Sequence, residues 1–313
     1  MKKILFVCLL LTAQIHYGQT EIDGIMMEKN NLCSGIVYQT SSWDHYWEGT
    51  NYRNNPNFGV VSTQKIAVNA NYGITDRFNV IVSLPYVMTE ASAGTLKGQK
   101  GFQDISLTLK YVFYETKLKV GLLSFYGIGS YTTPLSNYPA DYLPLSLGLR
   151  SKTTSLRLMA DYQIKKWFVT NSLSYSHRAN IKIDREVYYT NQMNYSNIVD
   201  MPNQINYNFR MGYRSHQLIS ELIYDSTITQ KGGFDMTLNN MPFPSNTMNG
   251  SMVGTHNKYT FKSYPALSLV GGYSHVINGR NIGQSNTIYG GLFYVLDTTK
   301  KEESTQNSSE NEK

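Results

Sequence analysis

Between residues 78 and 213 the chain repeatedly sets an apolar side chain at every second position. Within 104–114, Ile105, Leu107, Leu109, Tyr111 and Phe113 share one face, and Ser106, Thr108 and Lys110 share the other. The window 203–213 repeats the pattern, with Ile205, Tyr207, Phe209, Met211 and Tyr213 against Asn206, Asn208, Arg210 and Gly212. Phe78, Val80, Val82, Leu84 and Tyr86 do the same in 78–87, as do Trp167, Val169, Leu173 and Tyr175 in 167–178. Successive side chains of a strand point to opposite faces, so this period of two predicts strands with one apolar and one polar face. No helical period fits these windows.

Alternation alone does not say which face is inside, because a soluble sandwich buries its apolar face and a membrane barrel turns it toward lipid. The connections decide. Short polar ones at 73–77, 115–118, 164–166 and 214–216 alternate with long ones at 41–59, 88–103, 132–144, 179–202 and 227–250. Tight periplasmic turns and long external loops are the pattern of bacterial outer-membrane barrels. Tyr72, Tyr86, Tyr111, Phe113, Tyr213 and Tyr224 fall near strand ends, where interfacial aromatic girdles lie. A first strand near 32–39 and final strands at 251–262, 266–276 and 286–296, with a turn at Tyr264-Pro265, give an even total. The expected fold is therefore all-β, a transmembrane antiparallel barrel of about twelve strands.

Composition sharpens this picture. Only 16% of residues are charged, while aromatics reach 13% and the mean hydropathy is −0.35, so uncharged Ser, Thr, Asn and Gln supply the polarity. An ordinary soluble domain carries roughly 25% charged residues. Lys2 and Lys3 followed by the apolar run 4–11 read as a signal peptide over 1–19, too short for a membrane anchor. Export by a cleaved leader places the barrel in the outer membrane of a Gram-negative bacterium. Cys8 leaves with that leader and Cys33 remains alone, which excludes an intrachain disulfide. The net charge of +6, which includes the two leader lysines, is too weak for a nucleic-acid binder. The expected organisation is a leader at 1–19, a periplasmic segment or plug at 20–30, a barrel at 31–297 and a disordered polar tail at 298–313.

Tyr72-Gly73-Ile74-Thr75-Asp76-Arg77-Phe78 runs into Val82-Ser83-Leu84-Pro85-Tyr86, and Gly101-Phe102-Gln103-Asp104-Ile105-Ser106 and Lys110-Tyr111 follow. Over Ala70 to Tyr111 this resembles the outer-membrane family named for the meta-pathway of phenol degradation. The resemblance implies a membrane barrel that acts as a transporter of aromatic or other hydrophobic compounds. Its motif is a fold signature and holds no ligand site. The chain departs from a usual barrel ending, since a polar tail follows its last strand.

Candidate chemistry is sparse. Asp44, His45 and Glu48 sit between Trp43 and Trp47 in one external loop, but their spacing is no recognised ligand motif, so no metal is expected. Trp43, Trp47 and Phe243, the last within a Met-Pro-Phe-Pro segment, are candidate loop contacts for a solute; the alternative is that these loops fold over the barrel mouth. On the polar faces, Lys65, Asn69, Lys110, Arg157, Asp161, Arg210, Glu221, Asp225 and Lys262 are lumen-lining candidates. Their mixed charge either pairs and fills the interior or lines a polar path. Ile22, Ile25, Met26 and Met27 give 20–30 the apolar anchors of a plug, although a frayed terminus fits too. Scattered histidines, no activated serine motif and no phosphate loop point away from an enzyme or a cofactor. The sequence thus implies a channel or transporter for small molecules, hydrophobic or aromatic ones among them, with membrane lipid as its surroundings. A general polar porin and a structural or binding barrel are the alternatives.

Overall fold

A computed structural model describes residues 20–237 and 241–299, so the expected leader and nearly all of the expected tail lie outside the described residues. Twelve antiparallel strands form a closed ring. They are β1 (Asn31–Trp43), β2 (Val61–Thr75), β3 (Phe78–Ala91), β4 (Asp104–Leu118), β5 (Gly121–Pro134), β6 (Thr153–Ile164), β7 (Trp167–Arg178), β8 (Asn203–Arg214), β9 (Leu218–Gln230), β10 (Asn249–Phe261), β11 (Tyr264–Arg280) and β12 (Asn286–Asp297). Each pairs with its neighbours in sequence, and β1 closes the ring on β12 from Asn31↔Asp297 to Ser42↔Asn286. Closure leaves no unpaired strand edge, which a hydrocarbon surrounding would not tolerate.

The side-chain alternation sorts residues as expected of a membrane barrel. Along β7, Phe168, Thr170, Ser172 and Ser174 are buried and Trp167, Val169, Leu173 and Tyr175 are exposed. Leu107, Leu109 and Met211 are likewise exposed, and Phe209 is half-buried among its outer neighbours. The interior is polar, with Asn79, Thr108, Lys110, Asn208 and Arg210 all buried. This is the inverse of a soluble core, and it fixes the apolar face as the lipid face.

Strand ends differ from the sequence expectation where the alternation breaks. A bulge between Val112 and Tyr114 turns both Phe113 and Tyr114 outward, so β4 continues to Leu118 with Glu115 bonded by Ser124. Tyr264 and Pro265 belong to β11, and the turn is formed by residues 262 and 263. Lys262 is therefore corrected from the lumen to an exposed periplasmic turn, because a bulge at Thr260/Phe261 ends the alternation one step earlier. Conversely, β8 runs through Arg214, which was expected in a turn and is instead buried. The third external loop spans 135–152, longer than expected, and the last spans only 281–285.

Leu158, in the middle of β6, is 60% exposed on the lipid face. Leu158→Arg should cost about 2–4 kcal/mol in denaturant unfolding of the micelle-bound protein, whereas Leu158→Phe should leave the midpoint unchanged.

Candidate functional site

The chain enters its own barrel from the periplasmic rim. There the Asn30 N–H donates to Gly73 O (2.8 Å) and the Lys29 N–H to Asp76 Oδ1 (2.9 Å). A Cβ on Gly73 would fall 2.1 Å from Glu28 O, so only glycine lets the segment cross the wall this closely. Met27 packs with Cys33 and Val295, and Met26 against Val112, Tyr126, Ile128 and Met159. Residues 20–25 then fold around one side chain. Lys110, fully buried on β4, donates from Nζ to Thr20 O (3.0 Å), Asp23 O (2.7 Å), Ile25 O (2.8 Å) and Asp23 Oδ1 (3.1 Å).

The ends of this fold are tied as well. Asp23 accepts from the Thr20 N–H and the Ile25 N–H, Tyr126 donates to Gly24 O (2.8 Å), and Thr108 donates to Glu21 Oε2 (3.1 Å). A Cβ on Gly24 would lie 2.1 Å from Asp161 Cγ. The segment therefore enters from the periplasmic end and reaches as far as Thr108, four residues from the external end of β4, beside an open vestibule of about 680 Å³ that reaches Arg77, Lys165, Lys166 and His216 at the rim.

Around it the wall charges form short-range pairs. Arg210 Nη1 meets Glu221 Oε1 at 2.5 Å, and its Nε donates to Asn208 Oδ1. Asp161 takes Arg214 Nη1 (3.0 Å) and Nη2 (3.2 Å) together with Thr170 Oγ1. Asp225 is held by the amides of Asn206 (2.8 Å) and Asn208 (2.9 Å). Arg157 donates to Ser172 Oγ and Asn206 Oδ1. Lys65 and Asn69 face the interior from β2 in half-buried positions. Lys110 and Asp161 are both on the wall, but each takes a partner the sequence did not suggest, Asp23 and Arg214. Tyr126, Arg178 and His256 (bonded to Tyr289 at 2.7 Å) are further inward groups that the alternation could have supplied.

The external loops cover the other end. Residues 135–152 fold inward onto β3, where Thr89 Oγ1 donates to Leu145 O (2.7 Å) and Val87 packs with Tyr138 and Leu147. Burial, then the bond to Asp104, holds the Tyr138 phenol above its ordinary range. Phe243 lies in a buried cluster with Ala140, Ile181, Ile183, Val199 and Met201, and Tyr188 stacks on it at 5.4 Å. It is thus a packing residue of the cap and does not offer its ring to a solute. Trp47 is 7% exposed and also packs. Trp43 remains open to a cavity of about 150 Å³ lined with Tyr46, Phe58, Met236, Met241 and Pro242. Asp44 contacts His45 and Glu48 turns to Arg53, so these three do not converge.

One residue joins the loops. Asn281 accepts from Gly49 N–H (2.8 Å) and Met236 N–H (3.0 Å) and donates to Asp235 Oδ1 (2.8 Å) and Thr247 O (2.9 Å). Its φ of 55° is a left-handed conformation that asparagine tolerates. The paired Arg280 bonds and this amide hold the Asp235 carboxyl below its usual range.

No protein-family profile matches the chain, and no curated protein matches it either. Among solved structures, an outer membrane channel from Pseudomonas putida aligns with a TM-score of 0.70 at 14% identity, covering 88% of this chain and 98% of that one. The NanC porin gives 0.46 at 9% identity over 82% of this chain and 98% of that one. The CymD monoaromatic hydrocarbon channel gives 0.36 at 12% identity, over 86% and 88%. The first of these likenesses shows the fold, a transmembrane barrel of the outer-membrane type.

Two substitutions test the two ends. Lys110→Met should make opening of residues 20–25 about a hundredfold more frequent in hydrogen exchange, since it strands a buried carboxylate and removes a charge pair worth roughly 3 kcal/mol or more. Asn281→Ala leaves two buried N–H groups unpaired, at about 1–3 kcal/mol each. Trypsin should then cut at Lys231 on intact cells several-fold faster than in the parent protein.

Proposed function

We propose that this chain is an outer-membrane channel for small molecules, kept shut by its own N-terminal segment, whose cargo has an aromatic or otherwise apolar part. The observation that carries the reading is the binding of residues 20–25 by the side chain of Lys110. A barrel that needed only a filled interior would fill it with wall side chains, as smaller barrels do. Here the filling is a terminal segment, held mainly by hydrogen bonds to one lysine, and it leaves without breaking the strand ladder.

The choice of cargo rests on the rim cavity. Trp43, Tyr46, Phe58 and Met241, with Asn55 and Asn57 beside them, make a collecting surface of mixed polarity and roughly single-ring size, where an aromatic solute sheds part of its water before entry. The resemblance over Ala70 to Tyr111 points the same way. A general polar porin is the competing reading, favoured by the hydrophilic inner wall. It requires no aromatic rim and no seal.

Deletion of residues 20–30 separates these. Planar bilayers containing the deletion variant should show a severalfold larger conductance than the parent, and cells carrying it should take up an aromatic probe faster. Unchanged conductance and uptake would leave a structural barrel. Equal uptake of a sugar and an aromatic probe of like size would favour the polar porin.

A further inference from the structure

One side of the lumen carries four guanidinium groups in ascending order. They meet β8 or its neighbours at inward positions. At the periplasmic end Arg214 grips Asp161, and two inward positions higher, past Gly212, Arg210 grips Glu221. Higher still, Arg157 from β6 reaches Asn206, and Arg178 from β7 reaches Gln204 at 2.6 Å. Inward residues of a strand recur about every 6.6 Å, so the ladder from 214 to 204 extends roughly 33 Å, most of a bilayer's hydrocarbon thickness.

The rungs are not equivalent. Arg210 and Arg214 are buried and each is matched by a carboxylate. Arg157 and Arg178 are only half-buried, and among the described residues their side chains bond a hydroxyl and neutral amide oxygens. A guanidinium has five N–H donors, so most of those on the upper pair face the lumen. The carboxylates whose charge reaches Arg157 are Glu21 of the inserted segment and Asp225 of the wall, neither in an ion pair with it among the described residues; Glu21 accepts from Thr108, and both oxygens of Asp225 are held by Asn206 and Asn208. Asp104, at the top of β4, is taken by Tyr138. Across the barrel, Lys65 adds a third inward cation, half-buried on β2.

We infer that the extracellular half of the lumen binds a small organic carboxylate at Arg157 and Arg178, and that the paired rungs below hand it toward the periplasm. The lower rungs show what the ladder is shaped for. Arg214 holds Asp161 through two N–H donors at 3.0 and 3.2 Å, the forked geometry in which guanidinium matches carboxylate. A descending carboxylate exchanges with Asp161 and Glu221 as one ligand for another of the same kind, so no guanidinium is left bare along the way. This inference rests on the channel reading for the passage, although the upper site binds whether or not the barrel opens.

Equilibrium titration calorimetry of the full-length protein in detergent, with benzoate as probe, tests the site apart from conductance. Saturable binding is expected, weakened at least tenfold in the Arg157→Gln/Arg178→Gln double variant and unchanged in Arg280→Gln, which removes a loop guanidinium. Heat-modifiable gel mobility reports whether the double variant has folded; if it has not, the single Arg178→Gln variant at the end of its strand carries the comparison. Absence of saturable benzoate binding, equal binding by the variants, or binding of inorganic phosphate in preference to benzoate would each overturn the inference. A benzoate site in a barrel that stays silent after deletion of residues 20–30 would retain the site and remove the channel.

Discussion

Within hydrocarbon no water satisfies a peptide group, and every feature of this chain follows from meeting that constraint with strands. The pairing of β1 with β12 from Asn31 to Ser42 closes the ladder, and closure dictates two solvents, lipid outside and a confined lumen inside. The apolar half of each strand needs no further partner. The polar half does, because charged and amide groups that face a narrow interior must be paired or hydrated. Arg210 with Glu221, Arg214 with Asp161 and Asn206 with Asp225 are the result.

Lys110 is where wall pairing gives way to something else. Burying an ammonium group costs several kcal/mol unless it is compensated, and the compensation here comes from outside the strand lattice, as three carbonyls and one carboxylate of residues 20–25. Carbonyl ligands of this kind exist only while the segment keeps its turn, so the lysine and the turn stabilise each other. Met26 and Met27 add apolar contacts that tolerate imperfect fit, as thioether side chains do.

How much of this was legible in the sequence depends on range. The lipid and lumen faces of β3, β4, β7 and β8 follow directly from the period of two, since alternation is a property of one strand. Errors gather at strand ends: a bulge moved Lys262 from lumen to turn, and uninterrupted alternation carried Arg214 from turn to lumen. Partners were less legible than faces. Asp23 meets Lys110 across a separation of 87 residues, and Asp161 meets Arg214 across 53, which no local pattern encodes. Phe243, between two prolines, reads either as a solute contact or as part of a loop folded over the mouth; the cluster that buries it draws on two other loops and takes the second course. Asn281 gave no signal at all, being one asparagine among many until its four bonds are seen.

The two ends of the lumen are built on different physical terms, and this asymmetry sets how each is held. The extracellular cap is tied at both ends of every loop, shares a buried apolar cluster and is pinned by Asn281 and by the Arg185–Asp141 ion pair. Its parts can shift only together. Residues 20–30 join the barrel where residue 31 becomes β1, bond to Gly73 and Asp76 at the rim, and farther in are held by Lys110, Tyr126, Thr108 and two methionines. Without residues 20–25 Lys110 would lose its carbonyls but face a hydrated lumen, and a hydrated ammonium does not carry the burial cost. Water would thus offset part of the lost bonding. A vestibule of about 680 Å³ already opens beside Gly24, Ile25 and Met26, so the wall contacts of the segment, rather than the loops above, set how firmly it is held.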